Sequence, residues 1–192
     1  MTKEMGRIEF DELFMWVARL YSMRSACLHY KVGVVFVKGN RIISAGYNGP
    51  VKGEAHCNEV GCAKLDPGGK KLPPGSGLCR GAHAEINAVY NAAALGIAME
   101  GTKIYCTYHP CYTCAKHLVN LGITEFVYER DYDGKEEVQR ATELFMRRGI
   151  LLRKFSMPDD VLKKMINLYL GDYSIQEVMT ILGKPELPLK VG

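Results

Sequence analysis

The sequence predicts an α/β fold, a three-layer α/β/α sandwich around a central mixed five-stranded sheet. Three observations predict it: an opening stretch of helical periodicity, a hairpin of two β-rich runs, and strands that then alternate with helices. Such alternation packs as a layered sheet with helices on both faces. A chain of 192 residues is long enough for one domain with a sizeable core and an appendage. We divide it into a domain over 1–155 and a C-terminal helical extension over 156–192.

Apolar residues at Phe10, Leu13, Phe14, Val17, Leu20 and Tyr21 recur with a period near 3.6, so they predict an amphipathic helix with that face inward. Val32 to Val37 and Arg41 to Tyr47 are β-rich, and Lys38-Gly39-Asn40 between them reads as a short hairpin turn. Pro50 to Arg80 has no sustained periodicity. A loop that long inside a compact domain needs a reason. A helix is predicted from His83 to about Leu95, with Ile86, Val89, Tyr90 and Ala93 on one face and Gly96 ending it. Strand Lys103 to Thr107, helix Cys111 to Leu121, strand Thr124 to Tyr128, helix Lys135 to Arg148 and strand Ile150 to Lys154 follow in turn. After Ser156 two short helices are expected. Asp159 or Asp160 caps the first, and the capping box Ser174/Glu177 opens the second. Pro185 and Pro188 stand where a recognition helix would follow, so this tail is read as packing or oligomer contact rather than a DNA reader.

Composition excludes several classes of function. A hydrophobic content of 47% and a charged content of 24% are those of a globular protein. The net charge of +4 has no long Lys/Arg run behind it, so no nucleic-acid partner is expected, and no apolar run is long enough for a membrane span. Met1 to Asp11 carries acids and no signal-peptide core, so a cytoplasmic location is expected. Seven cysteines in such a chain point to metal binding or free thiols rather than to a disulfide framework.

His83-Ala84-Glu85 followed by Pro110-Cys111-Tyr112-Thr113-Cys114 supplies one imidazole, two thiolates and one carboxylate. Three protein ligands leave one tetrahedral position of a zinc ion open to water, as a catalytic site needs. Cys111 and Cys114 alone would fit a zinc-ribbon half or a redox pair equally well. With His83 and Glu85 the set resembles the signature of zinc-dependent nucleobase deaminases, which implies His83, Cys111 and Cys114 as ligands and Glu85 as the proton carrier. Both clusters fall at predicted helix N-termini, where exposed N–H groups favour thiolates. Cys106 lies in an apolar run and reads as a buried strand residue. The remaining Cys27, Cys57, Cys62 and Cys79 equal in number a closed structural zinc site, which would fasten the long loop.

The segments Arg24-Ser25-Ala26-Cys27, Gly46-Tyr47-Asn48-Gly49 and Cys57-Asn58-Glu59-Val60-Gly61-Cys62, together with those around His83 and Cys111, resemble the deoxycytidylate (dCMP) deaminases of the cytidine/deoxycytidylate deaminase family, bacterial and archaeal type, over about Phe10 to Lys154. The resemblance implies a cytidine-deaminase-like fold and hydrolysis of dCMP to dUMP and ammonia, feeding thymidylate synthesis. It implies contacts of Asn48 with the sugar hydroxyl, of the Ala84 N–H with the cytosine carbonyl, and of Arg24 and Tyr132 with the 5′-phosphate. Blander readings stay open: Asn48 as a turn residue, Arg24 as a helix-ending cation, Tyr132 as a surface loop residue. No histidine stands close before His83 to complete a second zinc site. Cys62 and Cys79 are therefore assigned to it with Cys27 and Cys57, and His56 is a rival ligand. The resemblance further implies a homo-oligomer with dCTP and dTTP as effectors, and Mg2+ accompanying an allosteric nucleotide. Rival functions are deamination of dCTP, cytidine, tRNA adenosine or a pterin or flavin precursor, and a zinc-stabilised binding module without catalysis.

Overall fold

The computed structural model describes residues 7–65, 68–70, 72, 78–159 and 161. The order is α1 (Phe10–Ser22), β1 (Gly33–Lys38), β2 (Arg41–Tyr47), β3 (Gly49–Pro50), α2 (Cys57–Val60), β4 (Gly81–Ala82), α3 (Ala84–Ala94), β5 (Lys103–Tyr108), α4 (Tyr112–Asn120), β6 (Glu125–Arg130), α5 (Lys135–Arg147) and β7 (Leu151–Lys154). Five strands form one sheet in the order β2-β1-β5-β6-β7, and β3 pairs with β4 beside it. β1 is antiparallel to β2 and β5, whereas β5, β6 and β7 run parallel. The mixed five-stranded sheet is the one expected. All these elements lie in a compact unit, Glu9–Ser156. A second unit of Met1–Ile8 and Met157–Gly192 lies mostly outside the described residues, as do the two helices expected after Ser156.

Local chemistry sets the boundaries. α1 starts in a reciprocal capping box, in which Glu12 accepts from the Glu9 N–H at 2.9 Å. The β1–β2 hairpin turns on Gly39 and Asn40, both at positive φ (53° and 59°), with Lys38 opposite Arg41. That is the two-residue turn whose twist suits paired strands, and Gly and Asn are the residues that tolerate it. Within the long loop the structure places a single helical turn, α2, opened by His56, whose N–H donates to Glu59 at 3.2 Å.

The core has two faces. Val34 and Phe36 of β1, Ile104 and Cys106 of β5 and Phe126 of β6 pack under α3, α4 and α5. On the other face Phe14 of α1 meets Tyr105, with ring centroids 5.2 Å apart. Both helix faces differ from those expected. In α1 the buried residues are Phe14, Met15 and Ala18, while Phe10, Leu13, Leu20 and Tyr21 are exposed. In α3 they are Ala84, Glu85, Ala88 and Ala92, while Tyr90 is 62% exposed. The reason is close approach. A Cβ on Gly33 would lie 2.0 Å from the Ala18 carbonyl oxygen, and one on Gly46 2.6 Å from that of Ala84. Glycine strands admit helix backbones so near that alanines, not leucines, face the sheet.

Edge strand β2 is stitched to α3 by side chains. Asn87 donates to the Tyr47 carbonyl and Asn91 to the Ala45 carbonyl, at 2.8 and 2.9 Å, and the Ser44 hydroxyl donates to the Ala88 carbonyl at 2.6 Å. Carbonyls that an edge strand would otherwise leave for another chain are thereby occupied.

Asp11 joins α1 to the sheet through Lys103, Tyr105 and Arg153, at 3.1, 2.5 and 2.6 Å. Burial pushes its carboxyl up, but the hydrogen bonds from Tyr105, Lys103 and Arg153 outweigh it and hold the group below its usual range. A carboxyl depressed by folding adds stability above its unfolded pKa of about 3.9 and loses it as pH falls through the folded value. Asp11→Asn is therefore expected to destabilise the chain by about 1–2 kcal/mol at pH 7. Melting curves at pH 7 and near pH 3 check it: the gap from wild type must shrink in acid, and a gap independent of pH would refute the linkage.

Candidate active site

Two helix N-termini meet at one point. His83 is the N-cap of α3 and Cys111 the N-cap of α4, both in extended backbone, with Cys114 one turn into α4. The Nδ1 of His83 lies 3.4 Å from the Cys111 Sγ and 3.3 Å from the Cys114 Sγ. A tetrahedral zinc with bonds of about 2.0 Å to nitrogen and 2.3 Å to sulfur separates those atoms by about 3.5 Å. The residues therefore fit the metal. The Cys111 Sγ also accepts from the Cys114 N–H at 3.5 Å, so the helix terminus itself orients the sulfur.

Electrostatics favour the ligand form of Cys111, and hold His83 and Cys114 toward their protonated forms until a metal displaces the protons. The Cys111 thiol is pulled down to about 4 by the hydrogen bond with Cys114, against burial and with help from His83. His83 is raised to about 9, chiefly by its hydrogen bond with Cys111. A metal at this point would compete with a proton for His83 and find the Cys111 thiolate formed. Cys114 is pushed well up by its bond with Cys111 and by burial. Glu85, 5% exposed, is raised by loss of solvation, with His83 opposing. A carboxyl so placed takes and returns protons near neutrality more readily than a solvated one.

His83, Glu85 and Cys111 line a cavity of about 350 Å³, within the range of small-ligand sites. Asn48, Ala84 and Tyr132 line it, whereas Arg24 is exposed and does not. The Asn48 amide is already engaged: it accepts from the Val32 N–H and donates to the Tyr30 carbonyl, both at 2.8 Å. Cys27, Cys57, Cys62 and Cys79 all line the cavity, and His56 does not. Among the described residues, His83, Cys111 and Cys114 are the one group of three donors close enough to share an ion. Cys106 is fully buried in β5, as expected.

Several lining residues escaped the sequence reading. Tyr30 stands edge-on to Tyr108 at 5.6 Å and tilted against Tyr132 at 5.4 Å, and its hydroxyl donates to Asp133. His109 and Glu137 line the cavity too. Tyr30 and Asp133 are 103 residues apart, and no local pattern reports such a pair. His109 and Tyr108 precede Pro110 directly, so proximity to the cysteine motif was the one available signal.

A family model described as the cytidine and deoxycytidylate deaminase zinc-binding region matches residues 8–130. The chain belongs to that family. It is 32% identical to ComE operon protein 2 of Bacillus subtilis over 155 residues, 81% of this chain and 76% of that one. It is 35% identical to the deoxycytidylate deaminase of Schizosaccharomyces pombe over 157 residues, 80% of this chain and 46% of that longer relative, so it spans under half of the yeast protein. In structure it is similar to the dCMP deaminase of cyanophage S-TIM5 in complex with dCMP and dUMP. The TM-score is 0.62 and the identity 27%, covering 78% of this chain and 99% of that one. Among the described residues, no helix is long and apolar enough to cross a membrane.

Proposed function

We propose that this deaminase-family chain hydrolyses dCMP to dUMP and ammonia, supplying dUMP for thymidylate synthesis. One observation carries the reading: a buried carboxylate, Glu85, beside three convergent ligands, in a fold similar to that of a protein solved with dCMP and dUMP. Zinc held by His83, Cys111 and Cys114 supplies Lewis acidity that activates water at neutral pH. Glu85 would take one proton from the attacking water and give it to the ring nitrogen, then take the second from the hydroxyl now on the ring carbon and give it to the departing amine. The Ala84 N–H, at the first position of α3, faces no intrahelical partner and meets the cytosine carbonyl. Tyr132 supports the phosphate end, and Asn48 pins the loop that meets the sugar. Arg24, exposed outside the cavity lining, reaches the phosphate only from the rim.

Initial rates of ammonia release from dCMP, dCTP, CMP, cytidine and deoxycytidine test the reading. The kcat/KM for dCMP is expected to exceed that for deoxycytidine by at least about tenfold, since one phosphate contact contributes roughly 1.5–3 kcal/mol. Equal values would remove the phosphate contact from the proposal. The same panel with dCTP, dTTP and Mg2+ tests regulation by an allosteric nucleotide.

The proposal includes a second, structural zinc on Cys27, Cys57, Cys62 and Cys79; all four line the cavity, but no three of their sulfurs lie within ligand distance of one another, so the ion would have to draw them together. Cys62→Ala is expected to lower bound zinc from about two ions per chain to about one, because a four-ligand closed site loses most of its affinity with one thiolate gone. A wild-type stoichiometry of one, unchanged in the variant, refutes it. A homo-oligomer belongs to the same reading, supported by exposed apolar side chains such as Leu95 at 76%. So does a deaminase domain over 1–155 with an extension over 156–192. We place the protein in the cytoplasm, where seven unpaired cysteines stay reduced.

A further inference from the structure

We propose that α5 sets the direction of the Cys111 ligand through two side-chain braces, Glu137 and the His109–Thr142 pair, making these positioning residues of the metal centre. The inference rests on the reading that His83, Cys111 and Cys114 hold zinc.

The geometry is that of the two peptide groups flanking the Cys111 Cα. On the C-terminal side, the Tyr112 N–H donates to the Glu137 carboxylate at 3.0 Å. That N–H is at the first position of α4 and has no intrahelical partner. On the N-terminal side, the Pro110 carbonyl lies 2.9 Å from the Nδ1 of His109. A carbonyl only accepts, so this ring nitrogen carries the proton. The other ring nitrogen, Nε2, is 3.2 Å from the Thr142 hydroxyl, whose single proton it shares with the Val138 carbonyl at 2.9 Å. His109 is 4% exposed, its ring packs edge-on to Tyr128 at 4.7 Å, and its backbone N–H donates to the Arg130 carbonyl at 2.8 Å.

Both peptide planes beside Cys111 are thus held by side chains anchored on one helix. Holding them fixes its φ and ψ, which are −74° and 163°. Those angles place the Cβ, and the Cβ sets where the sulfur can reach. Ligand-orienting hydrogen bonds of this kind typically govern metal affinity by about 10- to 100-fold. The inactive alternative is that α5 merely packs on α4. Packing alone does not require a carboxylate on one flanking peptide and a doubly bonded, buried imidazole on the other.

The test is zinc affinity of the full chain, by competition with a chromophoric chelator at fixed pH. Wild type, Glu137→Ala, Glu137→Gln, Thr142→Val and Thr142→Ser are compared with Met146→Ala, which truncates a side chain 73% exposed on α5. Glu137→Ala and Thr142→Val are each expected to weaken zinc binding about 10- to 100-fold. Glu137→Gln and Thr142→Ser keep an acceptor and a hydroxyl and are expected to restore it, and Met146→Ala to leave it unchanged. In cobalt-loaded protein the ligand-field bands should shift in the first pair only, a signature that loss of packing does not give. Wild-type affinity and spectra in Glu137→Ala and Thr142→Val overturn the proposal. If Glu137→Ala does not fold, the near-isosteric Thr142→Val decides alone. A wild-type chain that takes up no zinc overturns the metal reading itself and the braces with it.

Discussion

Glu85→Gln is expected to keep its zinc and to lose deamination by about 10²- to 10⁴-fold, more if the carboxylate acts at several proton transfers. The amide has the shape of the carboxyl it replaces, so the backbone of α3 and the ligand His83 need not move. What it lacks is a basic oxygen to accept a proton from water. Stability should respond in the opposite direction. Burial disfavours the ionised form of Glu85, so removing that charge is expected to leave the metal-free melting temperature equal or higher, as at other sites where function and stability conflict. Zinc content, turnover and melting curves on one preparation check all three. Near-wild-type turnover would remove Glu85 from the chemistry.

The metal ligands were legible because their chemistry is local. His83 with Glu85, and Cys111 with Cys114, sit at spacings that a helix N-terminus converts directly into geometry. The strands were legible for a similar reason: Val32 to Val37 and Ile104 to Cys106 are apolar runs that the sheet buries on both faces. The helix faces were not. Periodicity of large apolar residues points Leu13 and Tyr90 inward, but both are exposed because Gly33 and Gly46 let alanines take the contact. Which helix meets which glycine is a property of the folded sheet and is not written along the helix. The same holds for Tyr30, which meets Asp133 beside the cavity, and for Tyr112 of α4, which meets Glu137 of α5, pairs distant in sequence.

Gly46→Ala is expected to show that this close approach also builds the site. The added Cβ would stand 2.6 Å from the Ala84 carbonyl oxygen and 2.6 Å from the Ala88 nitrogen. Both are backbone atoms of α3, so no side-chain rotation relieves the clash, and the helix must lift from β2. Three bonds resist that movement, from Asn87, Asn91 and Ser44, and they would lengthen together. Overpacking of this kind costs about 3 kcal/mol. The helix that lifts carries Glu85, and its N-cap is the ligand His83. A displacement of about 1 Å at a reacting group costs on the order of 10²-fold in rate. Gly49→Ala is the stability control, because its Cβ would meet only the Tyr47 ring at 3.8 Å, and a change within about 0.5 kcal/mol is expected. Denaturant unfolding of both variants, with zinc affinity and kcat of Gly46→Ala, decides the matter: if Gly46→Ala is as stable and active as wild type, the contact between β2 and α3 does not position the centre.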